Sequence, residues 1–512
     1  MTSRKQRHRS ERRSRGSKAT VPFWKDPTGV SPAVFLLACG VFAGGLLLGG
    51  SGGSFGDSMV QLIALPLIVL AAMHWTQKPL QSPDWAALAI VAGIAALAFV
   101  QLMPLPGAVW AALPGRAELL RDLQSVGIAP AWQSLSLDPF ATERALQWTL
   151  PAIAMFLAVR WMSARQRRIL LLFLFFGALV LLVLTVTQNT ASQGDALATA
   201  NNAIAKATFA LNATPIPTAA RPAQFITGLF SNRNHFATFL AMTIPLVVAM
   251  GLHTWLERPK DKDQSLGWVS WVSLLVLVML GLLAGMIQTH SRAALVLGGI
   301  ALLGSLGLLR RLHLNRTLVW SVAGCAVVGA LAAIQMAASV TLARLDTSPD
   351  TDARWQIHAT TLEAARHFGP LGSGLGTFVQ AYQQGAPEKD IGPFYINHAH
   401  SDYHELWLET GIPGALLIIG FIGWFGWSTW RVWGDTEHSA ASTLIARAAT
   451  LSILMVLLHS YLDYPLRKTA ILVVFGMACA LLTPTEAAST RHASQSHRKR
   501  VTLPSQSATI AD

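Results

Sequence analysis

Apolar runs separated by short polar clusters recur along most of this chain. Each is about 20 residues long, enough to cross the ~30 Å hydrocarbon core of a bilayer. Backbone polar groups in lipid must be satisfied within their own segment, so the runs predict helices. Twelve spans are expected, near residues 32–50, 59–75, 85–103, 146–161, 169–188, 231–253, 268–287, 293–309, 317–337, 412–430, 443–462 and 468–484. Three polar stretches between them are long, at about 104–145, 189–230 and 338–411, and the last has amphipathic character around 352–367. An even number of spans places both termini on one side.

Charge orients the array. Residues 1–25 hold nine Lys/Arg and one acid, and residues 485–512 hold four Lys/Arg and two acids. Basic tails stay in the cytoplasm beside anionic headgroups, which accounts for them without nucleic acid. No short apolar stretch with a cleavage site closely follows the first tail, so it does not read as a signal peptide. With the tails inside, the inner loops carry 13 basic residues, among them Arg160, Arg165, Arg167 and Arg168. The outer segments spread a similar number over far more chain. Only 13% of the residues are charged, against about 25% in an average soluble domain. Cys39, Cys325 and Cys479 all fall inside apolar runs, leaving neither a disulfide framework nor a cysteine metal site.

Against this background one polar cluster stands out, Asn397-His398-Ala399-His400-Ser401-Asp402-Tyr403-His404-Glu405, just before an apolar run. It has three readings. The spacing of His398, His400, Asp402 and His404 is that of metal ligands. A neutral histidine can take a proton from an attacking hydroxyl. Ser401 or Asp402 can simply cap the next helix. Two further polar motifs enter spans on the same expected side, one carrying Arg233 and the other Arg292. An arginine at the lipid boundary must snorkel or be paired, and guanidinium groups bind phosphate bidentately. An outward-facing phosphate in a bilayer points to a polyprenyl diphosphate. The glycine-rich stretch 369–378 lacks the Gly-Lys-Ser/Thr ending of a P-loop. It predicts tight turns between interfacial helices, with backbone amides open to a phosphate or sugar.

Taken in order, Phe230-Ser-Asn-Arg-Asn-His-Phe-Ala237, Thr289-His-Ser-Arg-Ala293, Gly372-Ser-Gly-Leu-Gly-Thr-Phe378, His398-Ala-His-Ser-Asp-Tyr403 and Glu409-Thr-Gly-Ile-Pro-Gly414 resemble the O-antigen ligase family. That superfamily also takes in O-antigen polymerases and protein O-oligosaccharyltransferases. Ser136-Leu-Asp-Pro-Phe-Ala-Thr142 and His459-Ser-Tyr-Leu-Asp-Tyr-Pro-Leu-Arg467 extend the resemblance over roughly residues 136–480. It implies a GT-C-like glycosyltransferase of the bacterial inner membrane. Such an enzyme moves a glycan from undecaprenyl diphosphate on the periplasmic face and needs no metal or other cofactor. The family's diphosphate-binding arginines map to Arg233 and Arg292. Its general base maps to His400, with His398 as second candidate, and Ser401 stands where the family often has Asn. Asp402, Glu405 or Glu409 is expected to orient the histidine, and Asp463 to pair structurally with an outer arginine.

The expectation is thus an all-α polytopic membrane protein of about twelve spans with a large periplasmic loop. Its parts are a basic cytoplasmic tail (1–30), helices 1–9 with outer loops (31–337), the large loop (338–411), helices 10–12 (412–484) and a second cytoplasmic tail (485–512). Expected partners are the undecaprenyl-diphosphate-linked glycan donor, a lipid A-core or growing-polysaccharide acceptor, and membrane lipids. The alternative is a transporter or flippase for a lipid-linked or anionic substrate. That alternative calls for broken or ionisable positions at mid-depth in paired helices, and the spans carry few charges there.

Overall fold

The computed structural model describes residues 29–50, 54–75, 82–128, 131–190, 229–258, 265–309, 350–385, 396–435 and 440–483. The span expected at 317–337, most of 189–230 and nearly all of both tails lie outside these residues. The described chain is helical apart from one small hairpin. Helices α1 (Pro32–Leu48), α2 (Ser54–Trp75) and α3 (Ser82–Leu102) come first. Strands β1 (Pro104–Pro106) and β2 (Trp132–Ser134) pair antiparallel around short helices α4 (Gly107–Ala111) and α5 (Ala117–Ser125). Helices α6 (Pro139–Arg160), α7 (Ala164–Thr190), α8 (Arg233–Leu256), α9 (Ser265–Gln288) and α10 (Arg292–Leu309) follow. After these come α11 (Asp350–Phe368), α12 (Phe378–Gly385), α13 (Asp402–Gly434), α14 (Ala440–His459), a 3-10 turn (Pro465–Arg467) and α15 (Thr469–Leu481).

Seven of these, α2, α3, α7, α8, α9, α10 and α13, are long and apolar enough to cross a membrane, and α1, α14 and α15 are shorter apolar helices. The chain is therefore an all-α membrane protein. The expected spans within the described residues all coincide with helices, and two starts are shifted the most. Helix α6 begins at Pro139 instead of near 146, because the Asp138 carboxylate accepts from Ala141 N–H (3.0 Å) and proline suits the first helical position. Helix α13 begins at Asp402 instead of 412, capped by Ser401, with Asp402 and Glu405 in the first turn beside the positive end of the helix dipole. The end of the expected outer loop is thus already helical.

Helix α8 is the axis of the bundle, with 83% of its apolar window buried, against 28% for α9 and for α13. It packs on α9, α10 and α14, while α15 packs on α6 and α1. The α15–α6 approach is close enough that a Cβ at Gly476 would stand 2.2 Å from the carbonyl oxygen of Ala152.

Helix α13 kinks at Gly411, whose φ of 54° and ψ of −142° are not helical. The kink exposes two carbonyls. Pro413 has no N–H for Glu409 O, and Ile412 N–H turns to Pro370 O (2.8 Å) and so abandons Leu408 O. The glycine-rich loop between α11 and α12 supplies the missing donors. Ser373 N–H reaches Leu408 O at 3.0 Å and Gly374 N–H reaches Glu409 O at 2.9 Å. Gln101 also donates to Glu409 O (3.0 Å) and accepts from Leu375 N–H (2.9 Å). The loop does make tight turns between helices, as expected. The amides of residues 373–375, however, bind protein and not a phosphate or sugar. Arg116, pushed down to about 10 by burial, ties this loop to the 104–145 segment through Gly372 O (3.1 Å) and Leu135 O (2.7 Å).

Candidate active site

Three helix ends meet where α8, α10 and α13 begin, against the turn after α14. Asp463 lies in that turn and is fully buried. Its Oδ2 accepts from Asn234 Nδ2 (2.8 Å) and Asn232 Nδ2 (3.4 Å). Its Oδ1 accepts from the N–H of Tyr464 (3.0 Å) and faces His235 Nε2 at 3.3 Å and His400 Nδ1 at 3.7 Å. Burial alone would raise this carboxyl. His235, His400 and His459 outweigh it and hold the group well below the usual carboxylate range, so Asp463 is an anion. Among the described residues its side-chain partners are Asn232, Asn234, His235, His400 and the Tyr464 N–H, and the expected arginine is not among them.

The asparagines extend the network. Asn232 caps α8 through Asn234 N–H (2.8 Å), and Ser291 donates to Asn234 Oδ1 at 2.7 Å. Arg233 sits between the two asparagines, and Arg292 directly follows Ser291. The motifs carrying Arg233, Arg292 and His400 are thus joined through one carboxylate and one amide. Among the described residues only His290 (φ 48°) and His400 (φ 52°) are non-glycine residues with positive φ. Both lie where these motifs enter their helices, and strained backbone of this kind persists only where its surroundings fix it. His400 keeps 27% of its side chain exposed while its Nδ1 is buried toward Asp463, which leaves Nε2 as the accessible nitrogen.

The other members of the cluster diverge. His398 Nδ1 binds Glu405 Oε1 at 2.9 Å, and its ring stacks on Tyr464 with centroids 4.0 Å apart. Glu405 also accepts from Ala399 N–H (2.9 Å) and faces Arg467 Nε at 3.5 Å. Arg467 donates to Glu409 Oε2 at 2.7 Å. Burial works against its charge, yet Glu409 and Glu405 hold it above the usual guanidinium range. Asp402 accepts from Ser460 Oγ (2.8 Å) and Leu466 N–H (3.1 Å). His404 packs edge-on against His358 at 4.7 Å.

Of the three carboxylates expected to orient the base, Glu405 therefore serves His398, Glu409 serves Arg467 and Asp402 fixes the 460–466 turn. Asp463 takes the place beside His400. The four residues with metal-ligand spacing turn to four different sets of partners. Among the described residues no group of three or more His, Cys, Asp or Glu is placed to hold a metal.

Arg354 is a further cation that sequence reading passed over. It lies one helical turn before His358 on α11, on the same face, and makes no ion pair among the described residues. Burial lowers the His358 imidazole from its ordinary value, the His400 carbonyl works against that, and the nearby Arg354 guanidinium lowers it further. The signal for Arg467 and Asp463 was present in the 459–467 motif, but their partners lie in other segments.

Residues 275–419 match the protein-family model described as O-antigen ligase. The matched segment contains Arg292, Arg354, the glycine-rich loop and the His398–Glu409 cluster, while Arg233 and Asp463 lie outside it. No curated protein matches the chain.

Proposed function

Because the match over residues 275–419 supports placing this chain in the O-antigen ligase family, we propose that it transfers a glycan from undecaprenyl diphosphate to an acceptor hydroxyl on the periplasmic face of the inner membrane. The observation that carries this reading is Asp463, which joins His400 to the residues flanking Arg233 and Arg292.

In the proposed reaction the acceptor oxygen attacks the anomeric carbon of the glycan. Its proton passes to Nε2 of His400, the new C–O bond forms, and the bond to the diphosphate oxygen breaks. Undecaprenyl diphosphate leaves with the electron pair. Arg233 and Arg292 neutralise the charge that builds on the leaving diphosphate, which preorganised donors stabilise. Arg354 adds a third positive charge from α11. His400 contributes about 10²–10⁴-fold by general base catalysis, and Asp463 orients its ring and stabilises the imidazolium. His398, held by Glu405 and Tyr464, shapes the wall beside it. Both tails lie in the cytoplasm, and lipid A-core or a growing polysaccharide is the acceptor.

The test is reconstitution of the full chain in vesicles with an undecaprenyl-diphosphate-linked glycan, with and without excess chelator. Transfer that persists with chelator supports the reading. Loss on chelation that zinc or manganese restores makes the histidine cluster a metal site instead. In cells, a deletion strain that accumulates single lipid-linked repeats marks a polymerase, and one with full-length unattached chains marks a ligase.

A further inference from the structure

Four aromatic rings run in series past the backbone of His400. Trp355 and His358, both on α11, have ring centroids 5.7 Å apart at 81°. His358 meets His404 of α13 at 4.7 Å and 67°. His404 meets Tyr461, in the turn after α14, at 6.0 Å and 57°. The series touches the candidate base directly, since His358 Nε2 lies 3.3 Å from the carbonyl oxygen of His400.

The two ends of the series are open. Trp355 is 58% exposed and Tyr461 is 50% exposed, whereas His358 is buried and His404 half-buried. Core packing does not explain this, because a core aromatic is covered. Anchoring at the membrane surface explains an isolated exposed Trp or Tyr, but not a ring series drawn from three separate segments and centred on His400. A pyranose ring has the matching chemistry. One face is a patch of C–H groups that packs on an aromatic ring, and its edge carries hydroxyls that bond to a phenol or imidazole tip. Trp and Tyr combine an apolar face with a polar end in this way. The position also fits, because a glycan must be held next to the atom that takes the acceptor proton.

We propose that Trp355, His358, His404 and Tyr461 form a sugar-binding subsite that seats a pyranose ring of the glycan beside His400. The inference rests on the glycosyl-transfer reading above and assigns it a substrate contact.

The experiment compares the full chain in lipid nanodiscs with its Trp355→Leu and Tyr461→Leu variants. Leucine keeps apolar surface for the membrane but removes the flat ring. Two quantities are read: KM for the undecaprenyl-diphosphate-linked glycan, and affinity for undecaprenyl diphosphate without sugar. The subsite predicts that KM rises about tenfold in each variant, the size of one good aromatic contact. Affinity for the sugar-free lipid should stay unchanged, and Trp355→Tyr and Tyr461→Phe should restore most of the KM. An unchanged KM with lower thermal stability overturns the proposal and makes the rings anchors. Equal weakening of both affinities also overturns it, since the damage then lies at the diphosphate. A wild-type chain that binds undecaprenyl diphosphate yet transfers no glycan defeats the functional reading itself, and the subsite with it.

Discussion

The buried Nδ1 of His400 stands 3.7 Å from Oδ1 of Asp463, so a carboxylate already engaged by α8 also sets the direction of the imidazole. This distance is longer than a hydrogen bond and can tighten when substrate binds. We expect His400→Ala to lower transfer by about 10²–10⁴-fold in chain that still inserts and binds the lipid diphosphate. His398→Ala should be milder, because that ring is held by Glu405 and Tyr464. A steady-state rate comparison on purified protein checks both, and equal losses would sink the choice of His400.

Asp463 carries a testable pH dependence. Its carboxyl is depressed in the folded chain, so the unfolded state takes up its proton first as pH falls. The stabilisation is fully present above the unfolded value of about 3.9 and is lost as pH drops through the lower folded value. Asp463→Asn should therefore lower the melting temperature throughout the neutral range. Below about pH 4 the gap to wild type should close. A gap that keeps widening below about pH 4 would show that the group is not an anion in the fold.

Arg233, Arg292 and Arg354 separate by chemistry. Alanine at Arg233 or Arg292 should abolish transfer, and lysine should restore only part of it, since lysine lacks the planar fork. Arg354→Ala should weaken binding of undecaprenyl diphosphate, with Arg354→Lys nearer to wild type if only its charge is used. Wild-type activity in Arg292→Ala at normal expression would refute the diphosphate assignment.

Topology reporters placed after Arg168 and after Gly385 should report opposite sides of the membrane. A common side would overturn the arrangement with both tails in the cytoplasm.

Gly411→Ala should reduce folded yield sharply. A Cβ there would stand 2.1 Å from Pro370 O, and the residue has φ 54°, a combination costing on the order of 1–3 kcal/mol or more. Thermal unfolding in detergent measures it, and a melting temperature equal to wild type would mean the kink is not required.

Much of this was legible in the sequence, because apolar run length is a direct physical requirement of a bilayer. The spans around Phe42, Phe239 and Met455 could be read without any contact information. The helix starts were harder, since Asp138-Pro139 and Ser401 cap helices inside polar stretches. The cluster around His400 was visible as composition, but its partner was not. Asp463 carries no periodic signal, and its importance comes from Asn232, Asn234 and His235, which only the folded bundle brings near it. The three carboxylates closest in sequence, Asp402, Glu405 and Glu409, are engaged by Ser460 and Leu466, by His398 and by Arg467. The engaged amides of Ser373 and Gly374 were half readable, since Pro413 announces a vacant carbonyl at Glu409 without saying what fills it.

That vacancy bears on how the protein is made. When α13 first enters the bilayer, the carbonyls of Leu408 and Glu409 have no partners within their own helix, and residues 373 and 374 were synthesised before it. The donors thus precede the acceptors in the chain and reach them once the loop docks on α13. Without the docked loop Leu408 O would lose its Ser373 donor and Glu409 O would keep only Gln101, so the loop serves as the turn that α13 lacks.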